Sequence, residues 1–328
     1  MSIGSIGVIG AGAWGTALAQ TAAAGGEPVL LWAREAEVVA AVNDDHANPL
    51  FLPGVPLSPA IRATGALADL SACDALLVVT PAQHLRGVLA ALPPGDAPLV
   101  LCAKGIEAGS GRLMSEIAAD FRGDDAIAVL SGPTFAHEVG AGLPTAVTLA
   151  CADESVGAAL AARLARPGFR PYLSTDVIGA EIGGAVKNVL AIACGVVEGR
   201  GLGQNARAAL ISRGFAEMVR FGRARGARTE TLAGLAGLGD LVLTCSSTSS
   251  RNFSLGLGLG QGRSAADLLA DRRTVAEGAF TAPVLHEAAA AAGVDMPIVA
   301  GVCALLGGSA AVDDVVEALL ARPLTYEG

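Results

Sequence analysis

The sequence predicts an α/β protein in which a doubly wound parallel sheet, residues 1–177, precedes an all-α domain, residues 178–328. Three observations carry this. Short apolar runs rich in β-branched residues recur between helix-length segments: Ile6–Ile9, Pro28–Trp32, Ala75–Val79, Leu99–Ala103, Ala126–Leu130, Ala146–Leu149 and Phe169–Leu173. Those at Ala75–Val79, Leu99–Ala103, Ala126–Leu130 and Ala146–Leu149 are continuous rather than alternating, as expected of strands covered on both faces. The strand rhythm then stops, and from about Asp176 the chain reads as helices with glycine breaks. Finally, Gly10-Ala11-Gly12-Ala13-Trp14-Gly15 stands between the first strand and the helical Thr16–Gln20.

In that position G-x-G-x-x-G is a Rossmann-like dinucleotide turn. Gly10 makes the tight turn, Gly12 admits a pyrophosphate, and Gly15 lets helix pack on strand. The pyrophosphate meets the helix N-terminus, where free N–H groups and the dipole favour anions. The second strand ends in Trp32-Ala33-Arg34. An arginine there suits a 2'-phosphate, so NADPH is the expected cofactor, while the adjacent Glu35 keeps NADH open. Pro49, Pro53, Pro56 and Pro59 mark a long connection containing Phe51-Leu52-Pro53. In a doubly wound sheet the ligand crevice lies at the carboxyl ends of the strands. Thr80-Pro81, Lys104-Gly105 and Ser131-Gly132-Pro133-Thr134 fall there, with Thr134 also suited to capping a helix from Phe135.

The helical half opens with an apolar helix, about Gly179–Val197, that carries Lys187 and Asn188. Lys187 and Lys104 are the two lysines among 22 basic residues. Arginine is effectively never deprotonated, whereas a desolvated lysine near other cations drops several pK units, so the pattern points to amine chemistry. Asp240, the one carboxylate in the run 235–245, is a candidate partner for Lys187 or a helix cap. Ser250-Arg251-Asn252 closes a hydroxyl-rich segment suited to a small phosphate, because arginine offers a bidentate fork. The repeat Gly256–Gly262 follows no strand and reads as flexible structure, and the apolar run Met296–Val312 reads as a buried helix.

Composition bounds the partners. Net charge of -9 and a pI near 5.0 argue against nucleic acid or an anionic membrane as main partner. Mean hydropathy of +0.53 reflects alanine and glycine, and no integral membrane segment or secretory signal is read. Six separated cysteines fit free thiols in a reducing cytoplasm, and four scattered histidines give no metal spacing.

Taken together, Gly10–Gly15, Phe51-Leu52-Pro53, Ala103-Lys104-Gly105, Ser131–Ala136, Gly183–Asn188, Asn205-Ala206-Arg207, Gly237–Leu241 and Ser250–Asn252 resemble the bacterial NAD(P)-dependent glycerol-3-phosphate dehydrogenases nearly end to end. The resemblance implies Lys187 as proton acceptor. It implies Lys104, Gly132, Thr134, Asp240, Ser250, Arg251 and Asn252 at the glycerol phosphate, with Asn188 beside them. Trp14, Arg34, Lys104, Ala136, Arg251, Val275 and Glu277 would touch the dinucleotide, together with Gly10, Gly12, Ala13 and Gly15 of the turn. It further implies a cytoplasmic homodimer that supplies glycerophospholipid synthesis. Two departures stand out: Ala13 replaces a common serine, and His137 a common basic residue. A β-hydroxyacid dehydrogenase and a non-enzymatic NADPH-sensing module remain the rival readings.

Overall fold

The computed structural model describes residues 3–123, 126–270 and 276–323. Among them lie eight strands: β1 (Ile6–Ile9), β2 (Val29–Trp32), β3 (Ile61–Thr64), β4 (Ala75–Val78), β5 (Leu99–Leu101), β6 (Ile127–Ser131), β7 (Thr145–Cys151) and β8 (Phe169–Ser174). The helices interleaved with the strands are α1 (Ala13–Ala23), α2 (Ala36–Asp45), α3 (Leu85–Ala91), α4 (Met114–Ala118), α5 (Ala136–Gly140) and α6 (Glu154–Leu164). The helical half holds α7 (Val177–Gly199), α8 (Gly203–Ala224), α9 (Thr229–Leu232), α10 (Asp240–Thr244), α11 (Arg251–Gly260), α12 (Ala265–Leu269), α13 (Glu277–Ala291), α14 (Pro297–Leu306) and α15 (Val312–Leu320).

The sheet runs in the order β3-β2-β1-β4-β5-β6-β7-β8 and reverses at β1, as a doubly wound sheet does. Two features depart from the sequence reading. The proline-rich connection ends in an additional strand, β3, paired in parallel with β2. The expected all-parallel rhythm also breaks at β7, which pairs antiparallel with β6 and parallel with β8. The connection explains the reversal. Its only helix, α5, has five residues, a rise of about 7 Å, too short to return the chain to the start of β6. Residues 132–144 therefore close over the carboxyl ends of the parallel strands.

In the helical half, α7 is the axis. Every residue from Gly179 to Val197 is buried, as expected of a helix that is apolar all round. By length and composition α7 could cross a bilayer, yet 89% of its most apolar window is buried inside the protein. Against it packs α11, and here the expectation of flexibility for Gly256–Gly262 is corrected. A Cβ on Gly256 would lie 1.9 Å from the Ile192 carbonyl oxygen, and one on Gly195 2.1 Å from that of Phe253. The repeat is a helix whose glycines let two backbones touch, as small residues four apart do. The apolar run from Met296 also divides: α14 ends at Leu306, Gly308 turns the chain at φ +66, and α15 begins at Val312.

Candidate active site

The dinucleotide turn has the geometry that its sequence implies. Gly10 adopts φ +110, and an added Cβ would lie 2.9 Å from the Val79 carbonyl oxygen. On Gly15 a Cβ would come within 1.8 Å of the Gly10 carbonyl oxygen, so helix and strand could not meet. On Gly12 it would meet nothing within 4 Å. That open face lies at the N-cap of α1, whose first N–H groups have no side-chain cap. The turn thus fits a dinucleotide diphosphate. Ala13 and Trp14 open α1, and together with Ala136 at the start of α5 they are half-buried against the same core. At the end of β2, Arg34 is exposed and donates from Nε and Nη2 to Glu35 Oε1, at 3.3 and 3.1 Å. Arg34 follows β2, while Lys104 follows β5, two strands beyond β1 in the sheet. Val275 lies outside the described residues.

Beyond the carboxyl end of β5, Lys104 reaches toward α7 along Gly184, where a Cβ would lie 3.1 Å from its Cγ. One helical turn on, Lys187 leaves α7 into the same space. Asp240 enters from the far side at the start of α10, after a wide turn over Leu235–Gly239. There Gly237 is required, since its Cβ would fall 1.9 Å from the Leu232 carbonyl oxygen. The Asp240 carboxylate, wholly buried, accepts from Lys187 Nζ on Oδ1 and from Lys104 Nζ on Oδ2, both at 2.6 Å. Lys187 also donates to Thr244 Oγ1 at 2.9 Å, and that hydroxyl donates to Asp240 Oδ1 at 3.2 Å. Lys104 donates in addition to the Gly132 carbonyl oxygen at 3.3 Å.

Burial sets the protonation of this cluster. Desolvation pulls the Lys187 ammonium down to about 8, helped by Lys104 and opposed by Asp240. For Asp240 burial alone pushes the carboxyl up, but the two ammonium groups outweigh it and hold the carboxyl below the usual range. Glu277, at the first position of α13, is raised by burial against the opposing pull of Arg251, Lys104 and Lys187. Arg251 and the two lysines thus act on one and the same carboxyl group.

A second polar group adjoins the first. Asn252 Nδ2 donates to Asn188 Oδ1 at 2.9 Å, and its Oδ1 accepts from the Gly278 N–H at 2.9 Å. Three helices, α7, α11 and α13, are thereby joined beside the lysines. Ser250 caps α11, accepting from the Phe253 N–H at 3.2 Å, and leaves Arg251 exposed at the helix start. Thr134 does not cap α5 as expected. It donates to the Gly132 carbonyl oxygen at 3.3 Å, because the N-cap position falls to Phe135. His137 stacks on Phe135, with ring centroids 5.9 Å apart. Sequence reasoning missed Thr244, whose signal was its i+4 spacing from Asp240 on one helix face.

Comparison with known proteins agrees with this geometry. Residues 5–157 match the NAD-dependent glycerol-3-phosphate dehydrogenase N-terminus, and residues 176–317 match the C-terminus of the same family. A glycerol-3-phosphate dehydrogenase (NAD(P)+) of Sphingopyxis alaskensis is 66% identical over 324 residues, 99% of this chain and 98% of its own. One from Erythrobacter litoralis is 67% identical over 322 residues, 98% and 97% of the two chains. The crystal structure of glycerol-3-phosphate dehydrogenase from Coxiella burnetii superposes with a TM-score of 0.91 at 37% identity, covering 98% of this chain and 99% of that one. With both halves matched in order and relatives aligned over nearly their whole length, the chain belongs to the NAD-dependent glycerol-3-phosphate dehydrogenase family.

Proposed function

We propose that the chain reduces dihydroxyacetone phosphate to sn-glycerol 3-phosphate, reversibly, with NADPH preferred and NADH accepted. The observation that carries this is the Lys187–Asp240–Lys104 array at the carboxyl ends of the strands. When bound, the nicotinamide supplies the hydride. Lys187 gives its proton to the C2 oxygen during reduction and takes it back during oxidation, and an amine of pKa about 8 serves in both directions near neutral pH. Asp240 and Thr244 hold the Lys187 amine in place, and Lys104 stabilises charge that develops on the C2 oxygen.

Arg251, with Ser250, Asn252, Gly132 and Thr134, binds the ester phosphate and so positions C2 with binding energy remote from the reacting carbon. Asn188 orders Asn252 for that task. Residues 178–328 form the substrate domain in this reading. The turn Gly10–Gly15, Ala136 and Glu277 hold the dinucleotide, and Arg34 meets the 2'-phosphate of NADPH. The protein acts as a cytoplasmic homodimer that feeds glycerophospholipid synthesis.

The test follows NADPH absorbance at 340 nm with dihydroxyacetone phosphate and with unphosphorylated dihydroxyacetone. Oxidation with the phosphate ester alone is expected. Lys187→Met should abolish turnover while retaining NADPH binding. Arg251→Ala should raise the KM for the phosphate ester by about 10- to 100-fold, the worth of a charge-assisted contact. Absence of turnover with the ester, or full turnover by Lys187→Met, refutes the assignment.

A further inference from the structure

The Phe51-Leu52-Pro53 stretch stands among the motifs of this chain without a part in the chemistry above. Its place in the fold gives it one. The connection from α2 turns at His46, which adopts φ 48, and then crosses the dinucleotide turn. Asn48, 1% exposed, points beneath that turn. Its Nδ2 donates to the Ala11 carbonyl oxygen at 2.9 Å and to Thr16 Oγ1 at 2.8 Å. Thr16, wholly buried, donates in turn to the same Ala11 oxygen at 3.1 Å. The Asn48 Oδ1 accepts from the Phe51 N–H at 3.2 Å, and its backbone oxygen from the Leu52 N–H at 2.9 Å. These partners fix the amide orientation, since a flipped amide would set an oxygen against the Ala11 carbonyl.

Farther along, the same strap is tied to both walls of the crevice. Leu52 packs on α5, where a Cβ on Gly140 would lie 3.0 Å from its Cδ2. The Ser58 N–H donates to Gln20 Oε1 of α1 at 2.7 Å. We propose that Asn48 is a positioning residue for the dinucleotide: its amide holds the Ala11 carbonyl inward, so that the N–H groups of residues 12–15 face the diphosphate. Ala11 lies between the two glycines of the turn, and its peptide is the one whose rotation would put a carbonyl oxygen toward the anion. Glycine at position 12 lowers the resistance of that peptide to rotation. The burial of the Asn48 side chain makes the restraint costly to lose, because the Ala11 carbonyl would keep only the Thr16 hydroxyl as partner in a buried site.

This inference rests on the reading of Gly10–Gly15 as the dinucleotide turn, and the experiment separates the two. NADPH binding is measured by fluorescence without triose phosphate, in the full-length protein and in Asn48→Ala and Asn48→Asp, with thermal unfolding as a check on folding. Asn48→Ala should weaken NADPH by about tenfold, one hydrogen bond's worth in a buried site. In steady-state assays, kcat at saturating NADPH and the KM for dihydroxyacetone phosphate should stay within about twofold of the original.

Asn48→Asp is the discriminating variant. It fills the same space, so a space-filling role would leave it better than alanine. A donor role makes it worse than alanine, because its carboxylate faces the Ala11 carbonyl and lies near the diphosphate. Weaker NADPH binding by Asn48→Asp than by Asn48→Ala supports the proposal. Aspartate binding NADPH as well as alanine, or a loss that falls on kcat, overturns it. An unsubstituted protein that binds no dinucleotide overturns the inference and the reading beneath it.

Discussion

The Asp240→Asn variant tests the electrostatics of the site most directly. In the native protein one carboxylate faces two ammonium groups, each at 2.6 Å. Removing one partner of a buried pair costs about 3–5 kcal/mol, and one pK unit corresponds to about 1.36 kcal/mol. A loss of about 3 kcal/mol of attraction at Lys187 therefore lowers its pKa by about 2 units, from about 8 toward 6. The sign differs with direction. Glycerol phosphate oxidation needs the free amine, so its kcat/KM rises with pH through the Lys187 pKa. Reduction needs the ammonium and falls through the same pKa. At pH 7 an amine of pKa about 8 is about nine-tenths protonated, and one of pKa about 6 about one-tenth.

The assay is kcat/KM in both directions from pH 5.5 to 9.5 for the two proteins, since this ratio reports groups of the free enzyme. The substrate's second phosphate ionisation, near pH 6, is common to both and cancels in the comparison. A break that stays near pH 8, or moves upward, in Asp240→Asn would refute the argument that this carboxylate opposes burial at Lys187.

Two further substitutions probe other parts of the fold. Gly256→Ala sets a methyl 1.9 Å from the Ile192 carbonyl oxygen and should destabilise the protein by about 3 kcal/mol or more in urea unfolding. Gly65→Ala, where an added Cβ meets nothing within 4 Å, should stay within about 0.5 kcal/mol, and equal losses would remove the packing argument. At the adenosine end, Arg34→Ala should raise the KM for NADPH by about 10- to 100-fold and spare NADH, while Glu35→Gln, which frees Arg34 from its ion pair, should shift preference further toward NADPH. Indifference of the NADPH KM to Arg34→Ala would dismiss the 2'-phosphate assignment.

How legible this protein is depends on whether a residue's task leaves a trace in its neighbours along the chain. The dinucleotide turn was readable because all its constraints fall within six positions between a strand and a helix. Lys104 and Lys187 were readable for another reason: among arginines they are conspicuous. Asp240 followed as the one carboxylate in an apolar run. The helix α11 was misread because three glycines in ten residues count against a helix at about 1 kcal/mol each. Only the three-dimensional approach to α7 offsets that cost. Strand β3 escaped notice because it has four residues and follows prolines. The reversal at β7 was hidden since a strand's direction is set by what connects it, not by its composition. Asn48 lies 37 positions from the carbonyl it holds, and nothing local marks it.

The charge of the site is worth weighing against that of the molecule. A chain with a net charge of -9 gathers one buried and one half-buried ammonium group around a buried carboxylate, so these three groups carry an excess of one positive charge. That excess is part of why Lys187 is low, since Lys104 acts on it in the same direction as burial. On the proposed reading, a phosphate dianion drawn to Arg251 supplies the missing negative charge and raises Lys187 again. The proton needed for ketone reduction is then held most firmly when the correct substrate is present. Unphosphorylated dihydroxyacetone lacks both the anchor at Arg251 and this charge. Discrimination between the two ketones should thus appear in the proton-transfer step as well as in binding, because the group that positions the substrate also sets the acid.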